Sequence, residues 1–168
     1  MRHTHFALCF AALALGTLPA IAQEVSSQVV YRTEFVLRDD GEATKSPRRY
    51  NLVLNSNGRG SLREGLRIPI RTGNPVAAAV NHYDSIVQIE CRLEQVGERV
   101  RLEADLQITT VSQPDKLEDG SLAHPVTGNT RLAFNAFLRP GKPVVVGAIN
   151  DPVTARKLDI EASLTKID

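Results

Sequence analysis

From Glu98 to Val111, apolar and polar residues alternate with little interruption. Val100, Leu102, Ala104, Leu106 and Ile108 are separated by Arg101, Glu103, Asp105 and Gln107. Successive side chains of a strand point to opposite faces, so this period predicts a long strand with one dry and one wet face. Residues 156–166 repeat the pattern through Leu158, Ile160, Ala162 and Leu164, and residues 130–138 through Leu132, Phe134, Ala136 and Leu138. Further strands are expected over residues 28–37, 48–55, 61–70, 85–95 and 143–149. No segment sustains an apolar period of 3.6 residues, so helix is expected to be minor or absent.

The breakers between these runs agree. Asp39-Asp40-Gly41 through Ser46-Pro47 separates the first two strands, and Ser56-Asn57-Gly58-Arg59-Gly60 is a turn signal. Val96-Gly97-Glu98 is short enough to join its neighbours in an antiparallel hairpin. Arg139-Pro140-Gly141-Lys142 leads into the apolar run Pro143 to Ile149, which reads as a hairpin ending in a buried strand interrupted by Gly147. Residues 112–127 form a polar stretch of about 16 residues, longer than most connections, and are expected to be mobile or functional. There is no internal repeat. The expected fold class is all-β: an antiparallel, sandwich-like single domain of about eight strands.

Residues 1–22 are set apart from this scheme. Met1-Arg2-His3-Thr4-His5 is a short basic start, Phe6 to Leu18 is apolar, and Ala20-Ile21-Ala22 supplies the small residues of a signal-peptidase site. A membrane anchor needs roughly 20 apolar residues, more than this run holds. Cleavage is expected after Ala22, leaving residues 23–168 as one exported domain, bound for the periplasm or beyond it. Cys9 has the wrong neighbours for a lipobox.

Charge and chemistry narrow the function by exclusion. Without Arg2, the chain keeps 19 basic and 19 acidic side chains. That balance argues against nucleic acid and against polybasic attachment to lipid, and by itself suggests no partner. After cleavage Cys91 is the sole cysteine, so no internal disulfide can form. It shares a strand face with Val87, Ile89 and Leu93 and is expected to be a buried small hydrophobe. The histidines of the exported part, His82 and His124, give no zinc spacing. In His82-Tyr83-Asp84, adjacent residues point to opposite faces of a strand. No catalytic signature or phosphate-cradling loop is present, so the expectation is no enzyme, no cofactor and no metal.

Three segments resemble, in order, the conserved domain of the bacterial secretins. Residues 58–70, with Gly65 and Pro69, look like the secretin strand written "vGxxiPv". Tyr83-Asp84-Ser85-Ile86-Val87 through Thr110 is similar to that family's paired "dvGvtLkv" strands. Residues 138–151 match its last motif at Gly141, Val145, Val146 and Gly147. The likeness spans residues 48–149, and Asp151-Pro152-Val153-Thr154-Ala155-Arg156 resembles the tails of small exported secretin-domain proteins. It implies structural roles for Gly65, Pro69, Gly141 and Gly147, the last two as a turn and a close-packing position.

The departures remove the pore. Ala148 and Ile86 stand where secretins have glycine, and the domains that precede a secretin pore are missing from this sequence. Only residues 71–81 stand where the membrane-inserting lip would be. A crossing hairpin needs two strands of about 9–11 residues each, so the exported chain is expected not to span a membrane. What remains is a non-catalytic exported domain that binds protein or assembles in the envelope. The alternative is a small-ligand or inhibitor-type domain using loops 71–81 and 112–127.

Overall fold

Each alternating run forms a strand with its apolar side chains turned to a shared interior. The computed structural model describes residues 28–39, 46–73, 79–118, 120–153 and 155–167; the expected signal segment, 1–22, lies outside them. The strands are β1 (Val30–Asp39), β2 (Arg48–Asn55), β3 (Arg59–Thr72), β4 (Ala79–Val96), β5 (Arg99–Val111), β6 (Thr127–Leu138), β7 (Val144–Asn150) and β8 (Lys157–Ile167). Two four-stranded antiparallel sheets result, ordered β2-β1-β8-β7 and β3-β4-β5-β6. The expected all-β class and strand number are both observed, and the described residues contain no helix.

The second sheet is a meander of consecutive strands; the first joins the two ends of the chain, β1 beside β8. Their facing sides make the core, with Phe35, Leu37, Ile160 and Leu164 from one sheet and Ile89, Leu93, Leu102, Leu106 and Ile108 from the other. Phe35 meets Phe134 edge to face across the interior, ring centroids 6.5 Å apart. Thr33 is fully buried among them, and its hydroxyl has no hydrogen-bond partner. Gly97, at φ 60°, opens the two-residue β4–β5 turn, the position where glycine leads such turns.

The sequence reading fails at one connection. The expected hairpin at residues 138–151 is a corner: β6 and β7 belong to different sheets. Lys142 N donates to Arg139 O at 3.1 Å to close the turn, while Gly141, at φ 79°, donates to Leu164 O at 2.7 Å. Nor is β7 a buried strand. It is an edge, and a register shift between Val145 and Gly147 leaves Val145 66% exposed while Val146 packs on the core. The extra residue of a bulge turns neighbouring side chains to different faces, which an unbroken apolar run conceals.

The chain also changes sheet between β2 and β3, and both corners are tight. A methyl on Gly60 would drive into Leu54 Cδ2, and one on Gly147 would stand 2.9 Å from Leu132 Cδ2. At each corner a leucine of one sheet occupies the space that a glycine of the other leaves open.

Two stability predictions follow from this packing. Gly60→Ala should lower stability by about 1–3 kcal/mol, the usual cost of overpacking, and adding Leu54→Val should recover part of the loss. Thr33→Val removes an unpaired buried hydroxyl and should raise stability by about 1 kcal/mol. Urea unfolding reads both as midpoint shifts at constant slope; a lowered midpoint for Thr33→Val would show that the hydroxyl is satisfied.

Candidate protein-binding surface

The β3–β4 hairpin outruns its sheet. β3 pairs with β4 over 14 residue pairs, from Arg59↔Arg92 to Thr72↔Ala79, but β5 joins β4 only from Ile86 onward. Residues 66–72 and 79–85 therefore form a two-stranded arm, where the sequence suggested a loop over 71–81. An arm need not have one dry face, so strict alternation was not required of it. Leu66 and Val80 are 67% and 58% exposed on it, while Ile70 and Thr72 are buried.

Residues 112–118 and 120–126 lie beside the end of this arm at Gly73. Leu122 N donates to Gly73 O at 3.3 Å, and internal bonds shape the excursion, including Ala123 N to Asp115 O and Ser112 N to Val126 O, both 2.9 Å. His124 is exposed on it.

Across the solvent face of β3–β6 run two rows of side chains. One is Arg59, Arg92, Glu103 and Asn135; the next is Ser61, Glu90, Asp105 and Ala133. Between them lies an open depression of about 930 Å³ whose lining comes wholly from these four strands. Its floor is the row Gly60, Cys91, Ala104 and Phe134, whose side chains turn inward. Burial pushes the Cys91 thiol up to about 11, so it is protonated at neutral pH and a poor nucleophile.

The carboxylates here are engaged. Arg131 Nε lies 2.9 Å from both oxygens of Asp105, and its Nη2 donates as well. That hydrogen bonding, outweighing partial burial, holds the Asp105 carboxyl below its ordinary range. Glu90 accepts from Gln88 Nε2 at 2.9 Å, and Arg101 lies 3.1 Å from Glu103 and 3.7 Å from Glu94. Most of the arginines are not engaged. Arg59, Arg63, Arg67 and Arg71 stand four residues apart along β3, all exposed on one face, and Arg92 is directly opposite Arg59. None of the five has an ion pair among the described residues. The balanced total charge hides this row; the available signal is its four-residue repeat, of which Arg63 and Arg67 fall within the expected strand 61–70.

The four motif positions do not converge. Gly65, opposite Ile86, sits at the base of the arm, and Pro69 is opposite His82 on the arm itself. Gly141 lies in the β6–β7 corner and Gly147 packs on Leu132. His82 and Asp84 share the face opposite Tyr83, without a hydrogen bond between them. Among the described residues, no group of three or more His, Cys, Asp or Glu could hold a metal ion, and no helix is long and apolar enough to cross a membrane.

The tail motif braces the β7–β8 turn. Asp151 is buried, its Oδ1 accepting from Thr110 Oγ1 at 3.0 Å and Val153 N at 2.9 Å, and its N–H donates to Arg156 O at 2.8 Å. Arg156 Nη1 lies 3.2 Å from Asp39 Oδ2, linking the turn to β1. Ala155 takes a left-handed φ of 52° within it.

The Asp105 assignment has a direct check. Arg131→Gln should move the Asp105 carboxyl titration, followed by NMR, upward toward the ordinary carboxylate range. Because the folded value is depressed, the pair's contribution to stability is present above the unfolded carboxylate range. It is lost as pH falls through the depressed value. An unmoved titration would show that Arg131 does not set it.

No protein-family model matches the chain, and no curated protein matches it. Among solved structures to which it is similar is the secretin-domain β-barrel of InvG from the Salmonella SPI-1 injectisome NC-base. The identity is 10%, the TM-score 0.48, and the alignment covers 84% of this chain and 61% of that one.

Proposed function

We propose that this chain is an exported single-domain β protein that binds another protein in the cell envelope and catalyses no reaction. The observation that carries the reading is the arm: two strands continue past β5 with large apolar side chains, Leu66 and Val80, in solvent. A two-stranded ribbon is marginal in water; this chain buries Ile70 and Thr72, and a contact outside it best accounts for the exposed Leu66 and Val80. The pattern of residues 1–22 supports export, first to the periplasm. The ordered resemblance to secretin motifs supports an envelope setting, with the role of an accessory component rather than a pore. Cys91, protonated in the core, and the isolated His82 and His124 fit a binding role better than catalysis.

A second reading, a small-ligand site built on loops 71–81 and 112–127, draws on the Leu122–Gly73 contact. The two separate on deletion of residues 117–120, which removes small-ligand binding under the second reading and leaves protein contacts in place under the first.

Photo-crosslinking residues placed at Leu66 and Val80 in exporting cells should each give a discrete protein adduct, with none from Val53 on the other sheet. Native mass spectrometry of the purified protein at micromolar concentration then tells a second copy from a different protein. Absence of any adduct from both arm positions would overturn the reading.

A further inference from the structure

β3 is an edge with a defined bonding polarity. Leu93 N donates to Gly58 O at 2.9 Å, and the β3–β4 register continues from there without a shift. Hydrogen-bonded positions alternate along an antiparallel pair, so the even-numbered residues of β3 turn their N–H and C=O toward β4. The odd-numbered residues, Ser61, Arg63, Gly65 and Arg67 among them, turn theirs to the free edge. Pro69 is odd as well, which is why a proline is tolerated inside this strand: its missing N–H is on the unpaired side. The edge thus offers a run of donors and acceptors from Ser61 to Arg67, ended by Pro69.

The same odd-numbered residues carry the arginine row on the solvent face. Arg63 and Arg67, about 13 Å apart along the strand, stand within the bondable run with no ion-pair partner among the described residues. A strand added here would place two residues, four apart, beside them. Nothing on this chain's other edges is complementary. β2, β6 and β7 contain no aspartate or glutamate, and the one acidic residue of β3, Glu64, has the opposite parity to the arginines. Pairing β3 with a second β3 would set arginine near arginine.

We infer that the free edge of β3 between Ser61 and Arg67 takes an extended acidic segment of a different protein, with Asp or Glu at positions i and i+4 beside Arg63 and Arg67. Main-chain bonds supply the attachment and the two arginines set the register. This rests on the protein-binding reading above and names the class of partner. Charges on an exposed edge also guard against aggregation, but a guard has no preference for one spacing of acids.

The test uses the purified protein and a fluorescent ten-residue peptide with β-branched residues at alternate positions and two glutamates four apart. Anisotropy should show binding that weakens about tenfold or more when the glutamates become lysines, and likewise in Arg63→Glu/Arg67→Glu. The milder Arg63→Gln/Arg67→Gln should weaken it in the same direction while keeping the native melting temperature. Methylating alternate peptide amides should abolish binding, and the bound peptide should slow hydrogen exchange at Ser61, Arg63, Gly65 and Arg67. Equal affinity for acidic and lysine peptides, or for adjacent and four-apart glutamates, overturns the inference. So does undiminished binding of the methylated peptide, or a β3 row that binds anionic vesicles or polyphosphate but no peptide. If the peptide fails while the arm positions still crosslink to a protein, the β3 assignment falls and the protein-binding reading stands; loss of both sinks both.

Discussion

The fold depends on two corners at which the chain changes sheet. A meander of four strands with one apolar face must fold that face onto something, and here it folds onto a sheet made from the chain's two ends. At β2–β3 and β6–β7 the sheets come close enough that Leu54 lies over Gly60 and Leu132 over Gly147. A side chain at either glycine would meet a methyl of Leu54 or Leu132, which would have to give way at the rim of the close-packed core. The corners also decide what is left over. Because neither connection is a hairpin, β2, β3, β6 and β7 all become edges.

Those edges are managed differently. β7 carries a bulge, which twists an edge away from pairing. On the β6–β7 side, Leu132 lies against Gly147. β3 has charge and a proline on its free side, while its hydrogen-bonding groups from Ser61 to Arg67 stay unpaired among the described residues. The Asp151 brace works at another place, tying β5, the β7–β8 turn and, through Arg156, β1. The motif-bearing tail thereby holds the two sheets at one end.

How much of this the sequence disclosed follows from where water is excluded. β5 and β8 were legible because one face of each is dry, and a dry face enforces alternation through Val100 to Ile108 and Leu158 to Leu164. The arm was not, since beyond β5 only Ile70 and Thr72 are buried while Leu66 and Val80 are exposed, so no steady alternation is imposed, and residues 71–81 suggest a loop. The β6–β7 corner was not, because Pro140-Gly141 suits a hairpin and a sheet change equally. What separates them is whether β7 finds β8 or β6, a long-range competition that a local motif does not encode. Gly147 was read as a close-packing position and lies against Leu132; its partner residue was invisible without the fold.

The charge argument has the same structure. With 20 basic and 19 acidic side chains, the chain's charge as a sum points to no partner. But a sum discards position. On the meander's solvent face Asp105, Glu90 and Glu103 lie on inner strands and are engaged by Arg131, Gln88 and Arg101, while Asp84 stands opposite Arg67. Four arginines without such partners, Arg59, Arg63, Arg67 and Arg71, line the edge strand β3, whose backbone is also unbonded on its outer side. Two kinds of unmet demand, for carboxylates and for main-chain partners, therefore fall on the same odd-numbered residues of β3. A protective edge requires only the first to be present and the second to be hidden. Their coincidence in one register, bounded by Pro69, is what gives that edge the capacity to distinguish one strand from another.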